Sequence, residues 1–193
     1  MKRLLAIIFL ALVLFGAYWF FFKKDTHSSE PKPEAIKIKK HSEEFNQSIT
    51  NSINEYIILR NAFADADTMK IKGQSQKFIA SVDSLKLDDL KKDDSLIVAS
   101  AQQQVSDIKA NAQDILQQKD ITEMREDFRM VSENLYPFLR TISYEGPKLY
   151  WQNCSVAFGE DKEGSWLSNT SEIINPYLGK NHPDCGEIKD SLQ

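Results

Sequence analysis

The residues best suited to chemistry lie near the C-terminus, where Cys154 and Cys185 are the two cysteines of the 193-residue chain. His182 stands three positions before the second cysteine. Two thiols can form a disulfide, whereas two thiolates and an imidazole nitrogen can hold a soft metal ion such as Cu(I). These outcomes exclude each other at any one time, because an oxidised pair offers no thiolate. The residues alone leave both open.

The same segment gives little support to catalysis. A cysteine nucleophile needs a neighbouring base, and His182 is the sole histidine of this region, with no obvious orienting partner. The chain has no Gly-rich phosphate loop, serine nucleophile elbow or His-Glu zinc motif. Acidic pairs at positions 88–89 and 93–94 are expected to cap helix ends rather than to act as acid and base. We therefore predict a protein that is not an enzyme.

The N-terminus predicts a membrane anchor over residues 1–24. Every residue from 4 to 22 except Gly16 is apolar, and two cations flank the run on each side. A transmembrane helix needs roughly 20 apolar residues. The run ends in aromatic residues rather than in a small-residue cleavage site, which favours an uncleaved signal anchor; a cleaved signal is the alternative. We expect a single-pass protein of the cytoplasmic membrane, with its domain on the extracytoplasmic (periplasmic) side.

Charge and composition characterise the chain beyond the anchor. Residues 25–40 are polar, contain two prolines and predict a solvated linker that includes His27. The net charge of the whole chain is -4, and removing the four cations beside the apolar run leaves -8 for the remainder. An acidic domain repels phosphate backbones, so we expect no nucleic-acid partner. The remaining residues, 41–193, suffice for one domain with one core.

Helical periodicity dominates the first two thirds of that domain. Four runs place apolar residues at three- and four-residue steps, as amphipathic helices require. Asp120 followed by Glu123 resembles a capping box at the start of the fourth run, and His41 is expected to be a solvated residue opening the first. The apolar positions are Phe45, Ile49, Ile53, Tyr56 and Ile57; Ile71, Phe78, Ile79, Val82 and Leu85; Ile97, Ala101, Val105, Ile108, Ala112 and Ile115; Met124, Phe128, Val131, Leu135, Phe138 and Ile142.

The C-terminal segment has a different composition, rich in glycine, proline and aromatic residues. Residues 149–151 suggest a short strand or an extended segment, and Asn175-Pro176 and Gly179 indicate turns. Trp166, Asn175 and Tyr177 are expected to shape this segment by packing and turn formation. The chain as a whole predicts an all-α, up-and-down bundle of about four helices with a short irregular C-terminal appendage, preceded by one N-terminal transmembrane helix.

Several unusual residues recur in a recognisable order. Residues 150–154 read Tyr-x-x-x-Cys, 164–168 read Gly-x-Trp-Leu-Ser, 172–179 read Glu-Ile-x-Asn-Pro-Tyr-x-Gly, and 185–187 read Cys-Gly-Glu. Upstream, Arg125, Phe128 and Ser132 form Arg-x-x-Phe-x-x-x-Ser. Together these elements resemble the domain of unknown function 3347 family. The resemblance implies a helical extracytoplasmic domain, found alone or fused to periplasmic adaptor subunits of heavy-metal efflux pumps, and a link to copper.

The chain departs from the family pattern at two sulfur positions. Family members commonly read Cys-Pro-Met at the first cysteine and carry a methionine before the second, whereas this chain has Ser155, Val156 and His182 there. Cys154, His182 and Cys185 are therefore the candidate ligands for Cu(I), with imidazole replacing a thioether. We expect a membrane-anchored accessory domain that binds metal or efflux and envelope proteins, or alternatively a structural or protein-interaction domain stapled by a Cys154–Cys185 disulfide.

Overall fold

The computed structural model describes residues 40–179, 182 and 185–193 of the chain. This part contains four α-helices, a 3-10 helix and three β-strands. The helices are α1 (Glu43–Ala64), α2 (Thr68–Asp83), the 3-10 helix (Leu87–Lys92), α3 (Ser95–Gln117) and α4 (Ile121–Thr141), and the strands are β1 (Leu149–Cys154), β2 (Gly164–Ser168) and β3 (Glu187–Leu192).

The predicted membrane anchor, and all of the linker except Lys40, lie outside the described residues. Within the described part, none of the helices combines the length and the apolar character that a bilayer crossing requires. The anchor and the boundaries at residues 24 and 40 therefore stay predictions.

Polar side chains define where each α-helix begins. Ser42 caps α1, Asp67 caps α2, Asp94 caps α3 and Asp120 caps α4, each by accepting a hydrogen bond from a main-chain N–H of the first turn. Those N–H groups have no carbonyl one turn earlier to bond, so a side-chain oxygen takes its place. The predicted capping roles of Asp94 and Asp120 are confirmed.

The predicted helical bundle is also confirmed, and each helix packs against the next one along the chain. Most positions of the four predicted stripes are buried, while Ile79, Leu85 and Val105 are half-buried. Aromatic rings join α1 to α4: the Phe128 ring stacks on Tyr56 at 5.2 Å and on Phe63 at 4.6 Å between centroids. The core thus extends from the first helix to the last.

The C-terminal appendage is not irregular, and the prediction of an all-α fold was wrong in this respect. Its strands form an antiparallel sheet in the order β2-β1-β3. The central strand β1 pairs with β2 from Tyr150 to Cys154 and with β3 from Leu149 to Asn153. β2 is buried along its whole length and β3 is largely exposed, so neither shows the alternation of apolar and polar residues typical of a half-buried strand.

A second correction concerns the start of the domain. His41, expected to be solvated, is 6 % exposed and packs beneath the first turn of α1. The predicted cap residue Asp89 lies beside it and accepts a hydrogen bond from the Ser42 main-chain N–H at 2.9 Å. Residues from the 3-10 helix and from the end of α4 cover the imidazole, and these elements are distant in sequence.

Candidate functional site

The two cysteines are joined. Cys154, the last residue of β1, and Cys185, just before β3, form a disulfide with their Cα atoms 5.4 Å apart. Cys154 is 1 % exposed, whereas Cys185 is half-buried. The predicted disulfide is therefore confirmed. It fixes the chain that leads into β3 to the end of the central strand, and in this oxidised state neither sulfur is a thiolate.

His182 stands three positions before the second cysteine. Its side chain is exposed, and its carbonyl accepts a hydrogen bond from the Cys185 main-chain N–H at 3.3 Å. In the part of the chain that the structure describes, no group of three or more His, Cys, Asp or Glu side chains is placed to hold a metal ion. The ligand set Cys154, His182 and Cys185 thus stays a prediction, and it concerns the reduced protein.

Asn175 ties the Asn-Pro-Tyr turn to the disulfide. Its side-chain oxygen accepts hydrogen bonds from the main-chain N–H groups of Tyr177 and Leu178 at 2.8 and 3.0 Å. Its amide nitrogen donates to the Cys185 carbonyl at 2.8 Å. Asparagine suits this position because one short amide can both close a turn and reach across it. The predicted turn-forming role of Asn175 is confirmed.

Gln152 of β1 binds the loop that leads from β2 to the Asn-Pro-Tyr turn. This fully buried side chain accepts a hydrogen bond from the Trp166 indole N–H at 2.7 Å. Its amide nitrogen donates to the carbonyls of Thr170 and Glu172 at 3.2 and 3.0 Å. A buried amide left without partners would be destabilising, and here both its oxygen and its nitrogen are used. The role of Gln152 could not be predicted from the sequence, because a single polar residue in a short strand gives no sign that it binds a distant loop.

Tyr177 is the anchor of the loop on the bundle. It is 2 % exposed, and its ring meets Phe128 of α4 and Trp166 of β2 with centroids 6.1 and 5.9 Å away. Its hydroxyl donates to the Ser165 carbonyl. Burial raises the pKa of this phenol well above its ordinary value. The predicted packing roles of Trp166 and Tyr177 are confirmed.

The helical part of the motif faces the same loop. On α4, the Arg125 Nε donates to the Pro176 carbonyl at 3.2 Å, and Phe128 packs against Tyr177. Arg125 and Phe128 are one turn apart, so they share a helix face. Arg125 and Pro176 are 51 residues apart in the chain, so the two halves of the sequence motif contact each other across the fold and together form the interface between the bundle and the sheet.

A directed chain of hydrogen bonds crosses that interface. The Leu167 N–H of β2 donates to the Tyr56 hydroxyl at 3.2 Å, and the Ser132 hydroxyl bonds the Phe128 carbonyl at 3.0 Å. An N–H can only donate and a carbonyl can only accept, so Tyr56 must donate to Ser132 across the remaining 2.7 Å. Burial raises the pKa of Tyr56 to about 12. The chain links α1, α4 and β2.

Arg60 is a further buried residue that sequence reasoning missed. It is 1 % exposed and donates to the Ser168 hydroxyl at 3.0 Å and to the Asn61 side-chain oxygen at 2.8 Å. Burial lowers the pKa of its guanidinium. A signal was present, because Arg60 follows Ile53 and Tyr56 at helical spacing on the apolar stripe of α1. It gives the bundle a second polar contact with β2.

Taken together, these contacts hold the C-terminal segment against the helical bundle. Gln152, Asn175, Arg125 and Tyr56 bond main-chain groups of the loop or of β2, and aromatic residues fill the space between helices and sheet. The two sulfurs of this site can exist either as a disulfide or as thiols. When oxidised they join the end of β1 to the chain that leads into β3, and after reduction they would become available as soft donors.

Comparison with known proteins bears on the helical part. No curated protein and no solved structure matches the chain. A family model described as "Protein of unknown function (DUF3347)" matches residues 52–145. The matched range holds Arg125, Phe128 and Ser132 and ends before the two cysteines. Residues 52–145 of this chain therefore belong to the DUF3347 family.

Proposed function

We propose that this chain is a membrane-anchored extracytoplasmic accessory domain that works by binding other envelope proteins and has no catalytic role. In this proposal residues 1–24 form the anchor, 25–40 form the linker, and 41–193 form the up-and-down helical bundle together with the stapled sheet. The observation that carries it is the Cys154–Cys185 disulfide. Structural disulfides persist in oxidising compartments and are rare in the cytosol.

The interface around the disulfide supports a binding role. The motif residues hold one rigid appendage against the bundle, and rigid surfaces bind partners with little loss of conformational entropy. The acidic character of the chain after residue 24 argues against nucleic acid as the partner.

Impermeant thiol labelling tests the compartment. Cys154→Ala leaves Cys185 unpaired and half-buried, so a membrane-impermeant maleimide should label this variant in intact spheroplasts. The wild-type chain should resist labelling, and the matched variant Cys185→Ala should label poorly because Cys154 is 1 % exposed. Labelling of Cys154→Ala that occurs only after lysis would place the domain on the other side of the membrane and refute the proposal.

A second candidate function is Cu(I) binding by the reduced protein. It is favoured by the accessibility of two candidate donors, because His182 is exposed and Cys185 is half-buried. After reduction, Cys154 and Cys185 would supply two thiolates and His182 would supply an imidazole nitrogen. This function would make the domain an accessory of heavy-metal homeostasis or efflux.

Competition with a coloured Cu(I) chelator tests the copper function. The reduced full-length chain should withdraw one equivalent of Cu(I) from the chelator, and both Cys185→Ala and His182→Gln should weaken this transfer. His27→Gln is the matched control and should bind as the wild type does. Equal affinity in the wild type and in Cys185→Ala would remove the copper function and leave the protein-binding proposal intact.

A further inference from the structure

His41 lies at the point where the described domain begins, and it contacts three separate elements. Its Nε2 is 3.0 Å from the Ile142 carbonyl at the end of α4. Its Nδ1 is 3.3 Å from Asp89 Oδ2 of the 3-10 helix and 3.9 Å from Asp93 Oδ2 just after it. The ring packs on Phe45 of α1 with centroids 4.5 Å apart.

The partners determine where the protons of the imidazole lie. A carbonyl oxygen can only accept, so Nε2 must carry a proton to bond Ile142. In the neutral ring, Nδ1 would then point a lone pair at the Asp89 carboxylate. In the imidazolium, both nitrogens are donors, and Nδ1 attracts the carboxylates instead. The geometry around His41 therefore suits the doubly protonated ring.

The surrounding charges keep the Asp89 carboxylate ionised. Burial acts to raise the pKa of Asp89, but hydrogen bonds from Lys92 and from the Ser42 N–H outweigh it and hold that pKa below its ordinary value. The Lys92 Nζ is 2.9 Å from the same oxygen. The Asp93 side chain is fully buried beside it, Lys40 is exposed, and the Glu145 carboxylate accepts a hydrogen bond from the Asn46 side chain at 3.1 Å.

We propose that His41 is a proton-operated latch that fastens the first turn of α1 to the 3-10 helix and to the end of α4. When Nδ1 loses its proton, an attraction to Asp89 and Asp93 becomes a repulsion, and the start of the domain loosens. The attraction exists only while Nδ1 carries a proton, so the latch should stabilise the fold more at acidic than at alkaline pH. The latch is independent of the proposed metal and partner roles.

Thermal unfolding of the full-length chain between pH 5.5 and 8.5 tests the latch. His41→Gln keeps an amide N–H for the Ile142 carbonyl and does not titrate. The wild-type Tm should fall over this range by about 3 to 5 °C more than the Tm of His41→Gln. His182→Gln is the matched control, because His182 is exposed, and its profile should follow that of the wild type. Parallel profiles for the wild type and His41→Gln would overturn the proposal.

A measurement on the wild-type chain decides the matter if His41→Gln does not fold. Nitrogen-15 NMR of the histidine rings distinguishes imidazolium from each neutral tautomer. At pH 5.5 we expect both ring nitrogens of His41 to carry protons, and at pH 8.5 we expect the proton to remain on Nε2 alone. A His41 ring that is still neutral at pH 5.5, or that keeps the same state at both pH values, would refute the latch.

Discussion

The hydrogen-bond chain from Leu167 through Tyr56 and Ser132 gives the sharpest test of the bundle–sheet interface. Tyr56→Phe preserves the ring, so it opens no cavity, but it leaves the buried Leu167 N–H without its acceptor. A stranded buried donor costs about 1 to 3 kcal/mol, and the lost bond to Ser132 adds to this. We expect a loss of about 2 to 3 kcal/mol in the free energy of unfolding.

Ser132→Ala should lower the free energy of unfolding less than Tyr56→Phe does. It leaves only the Tyr56 hydroxyl proton without an acceptor, and the main-chain N–H of Leu167 keeps its partner. The two changes break the same chain, so the double variant should be less destabilised than the sum of the single variants by about 1 kcal/mol. Urea unfolding of the full-length chain, followed by circular dichroism, measures all three. Tyr150→Phe, at a half-buried ring beside Lys148, is the control and should change stability by less than about 0.5 kcal/mol. A Tyr56→Phe value as small as this, or strict additivity in the cycle, would refute the directed chain.

Three further predictions concern the same region. Replacing both cysteines by alanine opens a loop with a sequence separation of 31 and should cost about 3 to 4 kcal/mol in urea unfolding, whereas an unchanged midpoint would contradict a stabilising disulfide. In Gly164→Ala the new Cβ would lie 2.7 Å from the Tyr177 ring, so we expect a loss of about 1 to 3 kcal/mol. The control Gly73→Ala, in open space on α2, should stabilise by roughly 0.5 to 1 kcal/mol; equal effects of the two changes would be inconsistent with the packing described. Because burial raises the pKa of Tyr56 to about 12, its contribution to stability is complete below pH 10, the ordinary tyrosine value, and is lost as the pH rises towards 12; stability that stays constant from pH 9 to 11.5 would argue against the burial.

The helices were predictable because their cause is local. Residues such as Phe45, Ile49 and Ile53 repeat at helical spacing, and a cap such as Asp120 lies next to the turn that it closes. The strand β3 was not predictable, because its six residues are mostly polar and exposed. It is a strand through its pairing with β1, which lies more than 30 residues earlier in the chain.

The candidate site divides in the same way. The disulfide and the turn at Asn175 could be predicted from residue types that act over short distances or as a unique pair. The burial of His41 could not, because the Ile142 carbonyl that it bonds is 101 residues away. The contact between Arg125 and Pro176 could not be predicted from the sequence either, although both residues belong to the recognised motif. A motif shows which residues recur together and does not show which of them meet in the fold.

The state of the two cysteines in the native protein tests the central claim most directly. Full-length chain isolated without reductant, denatured and treated with iodoacetamide should show an unmodified intact mass, because Cys154 and Cys185 are joined. The same protein treated with dithiothreitol first should gain two alkyl groups. Two alkyl groups on the sample that never met a reductant would show that no disulfide joins the end of β1 to the chain before β3, and would contradict the proposed extracytoplasmic domain.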